Sequence, residues 1–497
     1  MTVVLLVIRA SILLGFFLVF RRLERRDRGV VVVLAVLGVA VADAVLYADT
    51  TASAQRSIFH PDFLGQSFRL TQLVVPLALA ARLSVQGWPR RIDASAPLWL
   101  AFFLWVGVCT AAGLLEGHDA GRALRQTAII VHVGGGMALA ASVPVWDYVT
   151  GSAVPRFIQG CAVAASALFA WDTWGVPMAI TAIPDLPLLE FGRYGADAAT
   201  LFSSIGVLGL VLAVSRPKNS PHRVALLVSS IVLLLSHVAS AQRAARLGLY
   251  VILILLLLVC CTPTARRRIR VRASQVAMVA AAVLAAFLAV IFTTTLLAAS
   301  QAPQPGPYDS GEGEGAGPAL GATTRQGSIQ SRYNQWEIAR KEIAEAPFLG
   351  HGLGVEISYY EVAEQGVVTS DITHNIVLDL VLRTGIVGLV LAASGVVVVW
   401  WRGILTWRWH PDNRVAAWAI AAVTLSAGLL AKGLVESIFE KHRLALLLGV
   451  VMGLAISAVE SGPAMHGRWW GIARTEESRW HRRGPGRHRV SADATHA

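Results

Sequence analysis

The sequence predicts an all-α polytopic membrane protein with about 13 transmembrane helices (12–14) and one large external loop containing short helices. Three observations predict it. The chain is 55% hydrophobic and only 15% charged over 497 residues, with a mean hydropathy of +0.58. Apolar runs of near-bilayer length recur, among them 224–239, 247–261 and 275–292, and about 20 such residues suffice to cross a hydrocarbon core. Lys and Arg crowd alternate connections, as the bias toward positive cytoplasmic loops requires.

In chain order, candidate spans fall near 2–20, 29–47, 69–87, 95–115, 123–143, 157–180, 198–215, 223–240, 246–262, 274–298, 376–400, 415–433 and 443–460. With the N-terminus outside, the cytoplasmic connections and the tail carry 25 Lys and Arg. The short external connections carry 5: Arg56, Arg122, Arg193, Arg243 and Lys441. The expected organisation is an N-terminal block of about ten spans (1–298), an external catalytic loop (299–375), C-terminal transmembrane helices (376–460) and a basic cytoplasmic tail (461–497) expected to be disordered. The protein is thus expected in the plasma membrane, multi-pass, with its N-terminus and loop external and its C-terminus cytoplasmic.

The net charge of +12 does not indicate a nucleic-acid partner. It comes from anchoring runs such as 21–28 and 265–272 and from the tail, without aromatic interleaving or a nucleic-acid motif. The N-terminal apolar stretch is followed, not preceded, by its positive cluster, so it reads as a span rather than a cleaved signal. Cys109, Cys161, Cys260 and Cys261 all fall inside spans, so neither a disulfide framework nor a metal site is indicated.

The loop divides in two. Residues 299–327 are rich in Gly and Pro and poor in apolar side chains, and are expected to be flexible. Residues 328–375 are expected to be structured, with Ser328 capping a helix that ends at Pro347. On that helix Ile329, Tyr333, Trp336, Ala339 and Ile343 share a face with Arg332 and Arg340, opposite Glu337, Lys341 and Glu345. A guanidinium on an apolar face is costly unless paired. It either meets a carboxylate such as Glu356 or snorkels along the helix, or it aims at a substrate phosphate. The following turn carries Gly350, Gly352 and Gly354, whose backbone amides could approach an anion.

Ionisable residues inside or just beyond the spans, from Arg9 and Asp43 to Lys432 and Glu436, are expected mostly to anchor helix ends or pair between helices. Asp379 and Arg383, four apart on one helix, are expected to pair. Arg243 and Arg246 stand in a hairpin between two strongly apolar spans, on the side where cations are disfavoured. An anionic ligand or a helix-end partner would explain them. His374, followed by Asn375, opens the span from Ile376. An imidazole with an unperturbed pKa of about 6.5 can accept a proton, and His351 and Asp371 compete for that role.

Taken together, His374, Asn375, Leu378, Gly385 and Gly388, preceded by Arg332, Trp336 and Ala339, by Pro347 and by the Gly352–Gly354 turn, resemble the O-antigen ligase and O-antigen polymerase superfamily of bacterial integral-membrane glycosyltransferases. Two departures stand out: His351 replaces a small apolar residue in the turn, and the hairpin reads Ala-Gln-Arg. The resemblance implies a transferase without metal or cofactor that takes a glycan from a polyprenyl diphosphate to an acceptor hydroxyl on the external face. By position, Arg243 and Arg332 would hold the diphosphate and His374 would activate or orient the acceptor. Arg246, Arg340, Trp336, Asn375, Gly352 and Gly354 would contribute to substrate binding.

The implied partners are a lipid-linked glycan donor, a glycan or lipid acceptor, membrane lipid, and a glycan flippase and chain-length regulator in the same pathway. Polymerisation of a cell-surface polysaccharide is the favoured version, because the loop is modest and no acceptor-protein site is apparent. The alternative is a transporter or flippase for a lipid-linked glycan or small anion. That class should show repeated halves with broken helices, and no convincing repeat is visible.

Overall fold

A computed structural model of the chain describes residues 2–46, 62–63, 66–67, 70–87, 95–171, 196–216, 220–239, 243–262, 320–361 and 366–461. The expected span 274–298, most of the stretch expected to be flexible and the tail after Ser461 lie outside the described residues.

The described chain is almost entirely helical. Its main helices are α1 (Thr2–Glu24), α2 (Gly29–Leu46), α3 (Leu70–Gln86), α4 (Ala96–Leu115), α5 (Ala120–Ala141), α6 (Ala153–Ala170), α7 (Ala196–Ser215), α8 (Pro221–Ala239), α9 (Arg243–Cys261), α10 (Leu320–Glu345), α11 (Ile376–Trp409), α12 (Asn413–Gly433) and α13 (His442–Glu460). Helices occupy the positions of every expected span that falls within the described residues. Six of them, α4, α6, α7, α11, α12 and α13, are both long and apolar enough to cross a membrane, and α2, α8 and α9 contain shorter apolar stretches. These lengths support a polytopic membrane protein.

Helix ends follow local chemistry. Asp119, Asn375 and Asp412 cap α5, α11 and α12 by accepting backbone N–H groups of the first turn. α13 is the most enclosed of these helices: nearly all of its residues are buried, and it packs against α5, α11 and α12. A helix apolar on all sides belongs in such a centre. By contrast α4 exposes Leu100, Leu104, Val108 and Leu115, the pattern of a lipid-facing helix.

The segment between α9 and α11 departs from expectation. Its helix, α10, starts at Leu320, so Ser328 lies inside it and does not cap it. The helix is 26 residues long and is followed not by further short helices but by an antiparallel hairpin, β1 (Ile357–Glu361) with β2 (Gly366–Ser370). The buried face of α10 is also rotated from the expected one. Ser331, Gln335 and Ala339 are buried, whereas Tyr333 is 59% exposed. Ala339 packs with Val355, Ile357 and Leu382. The polar members find distant partners: Ser331 donates to Glu361, and Gln335 donates through Nε2 to the Ile372 carbonyl. Tertiary partners of this kind override an apolar periodicity.

α11 is broken. Gly385 has φ 65° and ψ −175°, a conformation open essentially to glycine alone. The turn after α10 fills the gap. The Ile386 amide donates to the Pro347 carbonyl (2.9 Å), the His351 amide to Leu382 (2.8 Å), and the indole of Trp105 on α4 to Thr384 (2.9 Å). A Cβ on Gly385 would strike the Phe348 carbonyl. Broken backbone within an apolar bundle persists only when its polar groups are satisfied in this way.

Candidate active site

The C-terminus of α12 and the N-termini of α11 and α13 meet at one end of the bundle, around residues 434–441. α9 reaches the same place. It runs antiparallel to α12, with Gly248 against Gly428 and Lys432, and Ile252 against Gly428. At 1.5 Å per residue, that register places Arg243 at the C-terminal end of α12. The side chain of Arg243 lies outside the described residues. Arg246, a turn further along α9, is half-buried.

Arg332 projects from α10 onto this junction. Its Nη1 donates to the Val435 carbonyl at 2.9 Å. Among the described residues no carboxylate pairs with it. Glu356, the expected structural partner for an arginine of this helix, is instead bound by Arg122. The guanidinium is half-buried and positioned by a neutral carbonyl. Arg340 is exposed on α10.

The loop that carries His374 is tied on both sides. The Trp336 indole donates to the Thr373 carbonyl (2.8 Å) and Gln335 to the Ile372 carbonyl (2.5 Å). Asn375 donates through Nδ2 to the Leu434 carbonyl (3.0 Å), while its Oδ1 accepts the amides of Val377 and Leu378. Between these anchors His374 is held at φ 50°, a left-handed conformation that costs a non-glycine residue roughly 1–2 kcal/mol. Such strain persists where the surroundings over-determine it, and it clusters at functional sites. Arg332, Trp336, His374 and Asn375 are thus brought together across the Leu434–Val435 turn.

The two other candidate bases are occupied. The His351 ring is bonded to the Glu342 carbonyl (2.8 Å), and its amide serves the break in α11. Asp371 accepts from Arg125 (2.5 Å) and Gln126 (3.1 Å). Burial opposes the charge of Asp371, but Arg125 and Arg383 outweigh it and hold the carboxyl below the ordinary range. The expected Asp379–Arg383 pair forms at 2.8 Å, fully buried, and Ser437 also donates to Asp379 (2.9 Å).

The Gly-rich turn packs elsewhere. Gly352 and Gly354 have φ of 79° and 96°. A Cβ on Gly352 would lie 2.6 Å from the Gly113 nitrogen, and one on Gly354 would lie 2.9 Å from the His118 Cβ. The Gly354 amide is donated to Gln126 Oε1 at 2.7 Å. Both glycines are accounted for by close packing on α4 and α5.

A cluster that sequence reasoning treated one residue at a time lies directly beneath the junction. Lys432 and Lys441 both bind Glu436, at 2.7 and 2.6 Å. Lys441 also pairs with Asp197 on α7 (3.2 Å), as does Arg443 (3.2 Å). The Arg443 side chain donates to the Asp43 carbonyl on α2 (2.9 Å), and His442 binds the Asp43 carboxylate (2.9 Å). Burial disfavours the Glu436 charge, yet its two lysines outweigh burial and pull the carboxyl down to about 2. The available signal was charge in an apolar context: Asp43 and Lys432 within spans, and Lys441 on the disfavoured side.

Residues 224–393 match a protein-family model described as O-antigen ligase. No curated protein matches the chain. The matched residues include Arg243, Arg332, Trp336, His374, Asn375 and the broken first third of α11. Over this segment, the resemblance to the O-antigen ligase and O-antigen polymerase superfamily read from the sequence is borne out.

Proposed function

We propose that this protein transfers a glycan from a polyprenyl diphosphate to an acceptor hydroxyl at the external membrane surface, most specifically in the polymerisation of a cell-surface polysaccharide. One observation carries the reading. Within the matched segment, Arg332 is a half-buried guanidinium with no carboxylate partner among the described residues, and it shares its turn with a conformationally strained His374.

In this mechanism the acceptor oxygen bonds to the anomeric carbon as the bond from that carbon to the phosphate oxygen breaks. The leaving group is the polyprenyl diphosphate, whose developing charge is met by Arg332 and Arg243. Arginine suits this because its planar fork stays charged and engages phosphate through two N–H groups at once. His374 takes the hydroxyl proton or orients the hydroxyl for attack. Asn375 and Trp336 hold the loop on which His374 sits. Gly352 and Gly354 shape the neighbouring turn, and Arg246 lines the approach along α9. Arg340 has no direct part in this scheme.

A break such as that at Gly385 also occurs in transporters, where it exposes backbone to a carried ion. Here the chain's own Pro347–His351 turn takes up the freed groups, which favours the transferase over the carrier.

His374→Ala and Arg332→Ala, each reconstituted at wild-type abundance, test the assignment in a transfer assay from a polyprenyl-diphosphate glycan. Both are expected to lose nearly all transfer. Full activity in both would sink the assignment. Polymerisation in particular predicts products of increasing length when the acceptor is itself a lipid-linked glycan; a single addition to every acceptor points instead to ligation.

A further inference from the structure

The Leu434–Val435 turn supplies the carbonyls that receive Asn375 and Arg332. Its amides hold it to the end of α12, Leu434 to the Ala431 carbonyl (3.2 Å) and Val435 to the Lys432 carbonyl (3.1 Å), and the next residue ties it on the far side. Glu436 is gripped by Lys432, the end of α12, and by Lys441, the residue before α13. The clamp therefore closes the connection between the two helices over a span of ten residues. We propose that Glu436 is a positioning residue for Arg332, setting through the turn it anchors where the guanidinium meets the diphosphate.

The inference rests on the proposed function above and adds to it a residue outside the matched segment 224–393. The surrounding charges support positioning over direct binding. Among the described residues Lys432, Lys441 and Arg443 face Glu436, Asp197 and Asp43, and His442 also binds Asp43. Each of these cations is already committed to a carboxylate. The geometry of the set instead ties α2, α7, α12 and α13 to one another beneath the turn, and Lys432 is completely buried. Desolvation offsets much of the attraction within such a buried set, and removing one partner leaves another charge unpaired.

Glu436→Asp isolates the geometric part. It keeps the charge but shortens the side chain by one methylene, so that it no longer reaches both lysines. The full-length protein in nanodiscs is titrated with a polyprenyl diphosphate, in the wild-type and Arg332→Ala backgrounds, with unfolding temperature followed in parallel. Glu436→Asp is expected to weaken binding about tenfold when Arg332 is present and less than about twofold when it is absent, since coupled residues are not additive. Glu436→Gln should weaken binding as well. If Glu436 merely damped the local potential, that variant would bind more tightly.

Wild-type binding by Glu436→Asp, or an equal loss in both backgrounds, overturns the proposal. A merely structural role would lower the unfolding temperature without making the loss depend on Arg332. Should Glu436→Asp fail to accumulate, Lys441→Gln reads the same cycle from the other side of the clamp, with the same two outcomes. Unchanged binding by Arg332→Ala itself would overturn the functional reading. Weakened binding there, with Glu436→Asp unaffected, would overturn the positioning role alone.

Discussion

Gly385→Ala tests whether the break in α11 is built into the fold. Gly385 sits at φ 65° and ψ −175°, where a side chain costs roughly 1–3 kcal/mol. Its new Cβ would also strike the Phe348 carbonyl. If the chain relieves this by straightening, it gives up the bonds that fill the break: Ile386 to Pro347, His351 to Leu382 and Trp105 to Thr384. At about 1 kcal/mol net for each, closing the break costs about 3 kcal/mol in place of the strain, so the loss lies between about 1 and about 3 kcal/mol either way. That is a large share of the roughly 5–15 kcal/mol that stabilises a typical fold. The assay is thermal unfolding in detergent, with limited proteolysis across residues 347–351. The expected result is a lower unfolding temperature and new cleavage in that turn. Transfer activity should fall further than abundance, because Thr373 and Asp379 link the half-helix before the break to the His374 loop. Gly107→Ala is the control, since a Cβ there meets nothing within 4 Å. Unchanged unfolding temperature and activity in Gly385→Ala, relative to that control, would refute the account of the break.

Three further outcomes follow from the geometry. Trp336→Phe removes the donor to the buried Thr373 carbonyl, a loss of about 1–3 kcal/mol that falls on the loop holding His374; turnover should drop about tenfold with donor affinity little changed, measured by steady-state transfer. Arg340→Ala, on an exposed side chain, should leave transfer within about twofold of wild type, in contrast to Arg332→Ala. Glu436, whose carboxyl is lowered from 4.5 to about 2, stabilises the fold at pH values above its unfolded value and loses that contribution as the pH falls from 4.5 toward about 2; acid unfolding of Glu436→Gln should therefore be flatter across that window than acid unfolding of the wild type.

How far the sequence reveals this protein depends on the range of the interaction involved. Positions of helices are legible because an apolar run of bilayer length has few alternatives. The Asp379–Arg383 pair is legible because both partners lie on one helix, four residues apart. The buried face of α10 is not. Apolar periodicity selects Tyr333 and Trp336, but Ser331 and Gln335 find partners in Glu361 and Ile372, and no local pattern records those bonds. The left-handed conformation of His374 is equally hidden, since it is imposed by Trp336 from one side and Leu434 from the other.

The buried charges lie between these cases. Asp43 and His442 are 399 positions apart, so no spacing rule can join them. Yet each stands in an apolar stretch where an uncompensated charge would cost several kcal/mol. A lone carboxylate in one such stretch therefore predicts a cation or hydrogen-bond donor in another, without naming it. Asp43, Asp197 and Glu436 supply three such demands, and Lys432, Lys441 and Arg443 are the cations that answer them. Treating intramembrane charges as a set that must balance, rather than as separate anchors, would have directed attention to residues 432–443 before any coordinates were known. It would also have separated them from Arg332, which donates to the neutral Val435 carbonyl and not to a member of the set.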